Sequence, residues 1–200
     1  MRDRNGASMR IYTIGHSTRS LEELVEALRS FGVRTLVDIR TVPRSRHVPQ
    51  FNAENLRRTL PNRRIRYRHM KALGGLRKPR RDSTNTAWRN TGFRGFADYM
   101  ETGEFAQALE ALRALSREAG PAAIMCAEAV PWRCHRSLVA DALTAQGDEV
   151  VDIMGPGKSR PHTLAPWARV DRRRVSYPGP PPRPGKATLP GRAADTEPTR

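Results

Sequence analysis

The run Cys134-His135-Arg136-Ser137 puts a nucleophile, a proton carrier and a cation within four residues. Leu138, Val139, Ala142 and Leu143 follow at helical spacing and Gly147 stops the pattern, so the run opens a helix of about 134–146. A thiol at a helix N-terminus meets free backbone N–H groups and the positive end of the helix dipole, which lower its pKa. Arg133, His135 and Arg136 add positive charge around it. Cys134 is therefore a candidate nucleophile. The same geometry can hold phosphate or another anion with no covalent step. The plain structural alternative is a small packed residue beside solvent-facing arginines.

The other chemistry-bearing residues lie at the ends of apolar runs. Cys126-Ala127-Glu128 closes the run Ala122–Cys126. A free cysteine there is usually a small buried hydrophobe. A cysteine-phosphatase cradle places its arginine six residues after the cysteine. Here Arg133 stands seven after Cys126, with the negative Glu128 in between, and both features argue against such a cradle. Glu128 is either half of an ion pair with Arg133, Arg136 or Arg40, or a general acid or base. Gly15-His16-Ser17 closes an earlier run; His16 can handle protons, bond a ligand or serve the structure alone. Asp38-Ile39-Arg40 closes another, with Arg44, Ser45 and Arg46 behind it, and Asp38 caps a turn or orients Arg40. Cys126, Cys134, His135 and His16 lack the usual short cysteine spacing of zinc sites, so no metal ligand and no cofactor is expected.

The elements that position these residues alternate. Met9–Ile14 reads as a strand ending at Gly15. Ser20 and Glu23 have capping-box spacing before a stripe of Leu21, Leu24, Val25 and Leu28, which Gly32 ends. Val33–Ile39 is a second strand. Asn52 caps a short helix, with Phe51 and Leu56 as its staple. Arg64–Met70 alternates as a half-exposed strand, and 71–92 is a long loop. Helices at Phe93–Met100 and Glu104–Arg117, the strand Ala122–Cys126, the helix from Cys134 and a strand Glu149–Met154 complete the series. Strands alternating with helices predict a Rossmann-like, three-layer α/β domain with a mostly parallel sheet of about five strands and helices on both faces. In such sheets ligands bind outside the carboxyl ends of the strands, which is where the candidates above fall.

Residues 1–8 read as a flexible extension, 9–170 as one domain, and the Arg- and Pro-rich 171–200 as a disordered tail. The net charge of +16 is not spread evenly. Residues 40–94 hold sixteen Lys or Arg against two Asp or Glu, whereas 95–170 hold seven against ten. A local basic field attracts phosphates, nucleic acid or another polyanion. Phe51, Tyr67, Trp88 and Phe93 interleave with it, as suits single-stranded nucleic acid; the core reading is favoured for Tyr67 and Phe93, and Trp88, in the loop, stays open. Two cysteines exclude a disulfide scaffold, and no apolar run is long enough to span a membrane. The first residues lack the apolar stretch of a signal peptide, so a cytoplasmic location is expected.

Together these features resemble the family described as a domain of unknown function, number 488. The resemblance runs through Thr13–Ser17, Leu36–Arg40 with Pro43, Ser45 and Phe51, Leu73-Gly74-Gly75, Phe93–Met100, Cys126-Ala127-Glu128 and Pro131–Arg136. It implies a compact α/β fold and a bacterial-type cytosolic protein, and it implies no reaction.

The residues point to an enzyme acting on an anionic substrate, namely a phosphorylated compound, a nucleotide or nucleic acid. Cys134 or Glu128 would react, and His16 or His135 would move protons. Ser17, Asp38, Arg40, Arg44, Arg133 and Arg136 would bind the substrate. The alternative is a nucleic-acid-binding or accessory protein that uses residues 40–94 without catalysis. A redox sensor using both cysteines ranks third. The oligomeric state is not legible.

Overall fold

A computed structural model describes residues 8–180. The elements run β1 (Arg10–Gly15), α1 (Leu21–Arg29), β2 (Thr35–Asp38), α2 (Ala53–Thr59), β3 (Arg66–His69), α3 (Thr91–Met100), α4 (Gly103–Ala119), β4 (Ala122–Cys126), α5 (Arg136–Ala145), β5 (Glu149–Gly155), β6 (Lys158–Pro161), β7 (Arg169–Asp171) and β8 (Arg174–Ser176).

Six strands form one sheet in the order β3-β2-β4-β1-β5-β6. The first five are parallel, and β6 turns back antiparallel on β5. The apolar alternation of β1 divides the core. Tyr12 and Ile14 face the layer of α1 and α2, where Leu24, Leu28 and Leu56 pack with Leu36 and Met125. Ile11 faces the layer of α3, α4 and α5, where Phe96, Leu109 and Leu138 pack with Val37 and Ile124. The protein is thus a three-layer, mostly parallel, Rossmann-like α/β domain. Its local signals act as their chemistry dictates: Ser20 and Glu23 close a reciprocal capping box on α1.

The topology sets where a ligand can sit. From β1 and β2 the chain leaves to the α1/α2 face, and from β4, which lies between them, it leaves to the opposite face. Loops that diverge from adjacent parallel strands open a crevice above their carboxyl ends. Gly15 lets those loops close up. A Cβ on it would fall inside the Glu128 carbonyl, and the backbone N–H groups of His16 and Ser17 donate to the carbonyls of Cys126 and Ala127.

Four readings change. Helix α5 begins at Arg136, two residues later than expected, because Pro131–Arg133 forms a separate 3-10 turn. The Asn52 side chain does not cap α2; its Oδ1 accepts the Ser45 N–H at 2.7 Å. Strand β6 and the β7–β8 hairpin were not foreseen, since four- and three-residue strands of Arg, Ser and Lys carry little periodicity. The boundary at 170 also moves. Residues 171–177 belong to the domain: Tyr177 is fully buried, its hydroxyl donates to Asp141 at 2.8 Å, and its backbone N–H donates to Asn85. The rest of the expected tail, 181–200, and residues 1–7 of the expected extension lie outside the described residues.

Candidate active site

The crevice holds a cavity of about 420 Å³. It is lined from the β2 end by Arg40, Thr41 and Val42, from the β4 end by Cys126, Ala127 and Glu128, and from the approach to α5 by Arg133, Cys134 and His135. Gly75 and Leu76 come from the long loop, and Asn90, Gly92 and Phe93 from the start of α3.

Three of these residues converge. The Sγ atoms of Cys126 and Cys134 lie 3.8 and 3.7 Å from His135 Nδ1, and all three atoms lie within 4.8 Å of one another. The imidazole is held from behind. Its Nε2 is 3.2 Å from the Ile39 carbonyl, an acceptor only, so the ring donates there and turns the Nδ1 lone pair to the sulfurs. Phe96 packs edge-on against the ring at 5.2 Å. Gly75 covers its other side, where a Cβ would stand 2.5 Å from the ring.

The two thiols titrate as a coupled pair. The Cys126 thiol is held well below its ordinary pKa, chiefly by a hydrogen bond from Cys134. The Glu128 backbone N–H adds to this, against the effect of burial. Cys134 is pushed up by the same bond and by burial. Ionisation is thus easier at Cys126 than at Cys134, the candidate nucleophile of the sequence. The reason is position. Cys134 does reach the start of α5, where its Sγ accepts the Arg136 N–H at 3.5 Å, but it lies against Cys126 and gives up its proton last.

The other candidates divide between cavity and scaffold. Arg40 is buried and engaged. It pairs with Asp38 through two bonds of 2.8 and 2.5 Å and donates to the Phe51 carbonyl. The Tyr67 hydroxyl donates to the same Asp38. His16 is fixed too: Nδ1 donates to the Ser17 carbonyl at 2.9 Å and Nε2 accepts from Arg40 at 3.2 Å. Burial lowers the His16 pKa, and the ring stacks on Phe51 at 4.3 Å. Neither nitrogen is free for a substrate. Arg136 is 1% exposed and ties the loop after β4, donating to the carbonyls of Glu128 and Ala129 and to Thr13 Oγ1. These residues build the rim. Ser17 sits on it with φ 48°, half-buried, and Arg44 is exposed outside the cavity lining.

Glu128 and Arg133 remain available. Glu128 is exposed and makes no ion pair among the described residues; its Oε1 accepts the Val130 N–H at 3.0 Å. Arg133 is exposed and likewise has no carboxylate partner among them. Cys126, read in the sequence as a buried hydrophobe, joins the cluster, and two groups that fix the His135 ring carry no chemical signal in the sequence. Gly75 follows another glycine in a loop and shows no chemistry until the ring it covers is known. The Ile39 carbonyl is backbone and carries no sequence signal.

The comparison with family models matches residues 20–143 to the domain of unknown function DUF488. The match includes Arg40, Gly75, Cys126, Glu128, Cys134 and His135, and excludes His16 and everything from β5 onward. Neither the comparison with curated proteins nor that with solved structures found a match. The family model covers more than half of the chain, which therefore belongs to the DUF488 family.

Proposed function

We propose that this protein is an enzyme acting on an anionic substrate, a phosphorylated compound or nucleotide, with the Cys126–Cys134–His135 cluster as its reactive centre. One observation carries the reading: two sulfurs and an imidazole nitrogen converge within 4.8 Å on the wall of a 420 Å³ cavity at the strand carboxyl ends. Packing alone gives no reason to open such a cluster to a cavity. The preference for an anion rests on the lining. Arg133 is unpaired, and Glu128 is the sole acidic residue of the lining, among the described residues. Glu128 stands where a general acid or base would be useful.

The test is turnover. The full chain is incubated with a panel of phosphomonoesters, nucleotides and short oligonucleotides, and products are followed by mass spectrometry. The expected result is conversion of one class, reduced at least about a hundredfold in Cys126→Ala and in His135→Ala. No conversion across the panel, or equal rates in the variants, would end the reading.

A second reading has its own observation. Arg57, Arg58, Arg64, Arg66 and Arg68 are exposed around the edge strand β3 and form no ion pair among the described residues. Such a row suits a nucleic-acid backbone; it also blunts an exposed sheet edge. Arg64→Glu with Arg66→Glu should abolish salt-dependent oligonucleotide binding if that reading holds, and leave turnover untouched.

A further inference from the structure

We propose that Cys126, Cys134 and His135 bind one divalent transition-metal ion of the zinc type, with the fourth coordination position open to the cavity. This rests on reading the cluster as the reactive centre, but its test needs no substrate.

The geometry is that of a ligand set. With Zn–S of about 2.3 Å and Zn–N of about 2.0–2.1 Å, the edges of a tetrahedral site are about 3.6 Å for N···S and about 3.8 Å for S···S. The two N···S distances here are 3.7 and 3.8 Å, and the third lies within 4.8 Å. Both separations share one nitrogen, Nδ1, whose lone pair faces the sulfurs because Nε2 is held on the Ile39 carbonyl. A ligating imidazole characteristically has such a partner on its other nitrogen, which fixes tautomer and orientation. One sulfur is supported too, that of Cys134 by the Arg136 N–H at 3.5 Å. Thiolate and imidazole donors in a tetrahedral arrangement select zinc over harder ions. Three protein ligands beside a cavity are the pattern of a catalytic rather than a closed structural site. Sequence spacing hides the set because its members come from a strand end and from the far side of a turn.

The full chain is purified under reducing conditions without chelator, and its metal is counted by inductively coupled plasma mass spectrometry. About one zinc per chain is expected. After chelator removal of the metal, titration with Co(II) should give near-ultraviolet thiolate charge transfer and visible bands of tetrahedral intensity. Cys126→Ser and Cys134→Ser should each weaken Co(II) binding at least about tenfold and lower the charge-transfer intensity. Should either variant fail to fold by circular dichroism, the wild type still decides: added zinc should protect both cysteines from iodoacetamide. Absence of stoichiometric metal together with absence of thiolate-to-cobalt bands in the reduced wild type overturns the proposal. So does a Cys126–Cys134 disulfide in its place. Turnover that survives complete removal of a bound metal overturns the open, catalytic coordination position and leaves the reactive cluster standing. Stoichiometric metal without turnover supports the metal centre and removes the enzymatic reading.

Discussion

Gly75 stands against the His135 ring with no room for a methyl group between them. Gly75→Ala should therefore turn the imidazole off the sulfurs. We expect wild-type folding by circular dichroism with at least about tenfold weaker Co(II) binding; unchanged binding would show that the ring position is not set by this contact. Asp38 acts on the other side of the crevice. It is fully buried and is the carboxylate partner of the buried Arg40. Asp38→Asn leaves that cation unpaired, and breaking a buried pair from one side costs about 3–5 kcal/mol. Urea unfolding should show a loss of that size. Much at this scale was legible. Glu128, Cys134 and His135 can be picked from the sequence because polar and reactive residues at strand ends stand out against apolar runs, whereas Cys126 reads there as a small buried hydrophobe. Their division of labour was not legible. Which sulfur ionises more easily depends on a contact across eight residues, and the engagement of Arg40, Arg136 and His16 depends on which carbonyls and carboxylates reach them.

At the scale of elements, the segment after β6 places a second titratable centre away from the cavity. His162 Nε2 lies 2.8 Å from Asp141 of α5, and Nδ1 lies 3.7 Å from Asp152 of β5. Arg160 also faces Asp152, Thr13 Oγ1 donates to it, and the Tyr177 hydroxyl donates to Asp141. Burial works to lower the His162 pKa, but the hydrogen bonds and charges of the two aspartates prevail and raise it to about 9. A group whose pKa is raised on folding stabilises most when protonated in both states. Its contribution is full below about 6.5, the unfolded value, and disappears as pH rises through about 9. Unfolding free energy should thus fall by up to roughly 3 kcal/mol between pH 6.5 and 10. His162→Gln should flatten that slope, and an equal slope in the variant would assign it elsewhere. The helices and parallel strands that link these centres were predictable, because each carries a periodic apolar face and a cap. The short strands β6, β7 and β8 were not, since their pairing is fixed by partners and not by pattern.

At the scale of the molecule, the domain closes through its last described segment. Tyr177 fills the core between α5 and the long loop, and Ala87 donates its N–H to the Tyr177 carbonyl. A chain ending at Val170 should lose at least about 3 kcal/mol, the cost of emptying a large aromatic site, or roughly 10 °C in Tm. A chain ending at Pro180 should melt with the full-length protein. Equal melting of all three would mean that residues 171–177 add nothing to the core. The charge follows a similar division. Of the arginines between 77 and 94, Arg77 lies over the Tyr99 ring at 3.6 Å, Arg80 pairs with Glu101, and Arg94 donates to the Trp88 carbonyl. They hold the long loop, so the formal excess of residues 40–94 overstates the charge free to meet a polyanion.

By itself the sequence determined the fold class, the order of the principal elements and the rim on which reactive residues gather. All of these follow from local periodicity, caps and the rule that parallel strands place their loops at one end. Only the tertiary structure decided which residues form a site. Bringing Cys126, Cys134 and His135 to a common point requires β4 to sit between β1 and β2, the turn at Pro131–Arg133 to fold back, and Ile39 and Gly75 to fix the ring. Those are contacts between segments as much as 96 residues apart, and no local pattern encodes them.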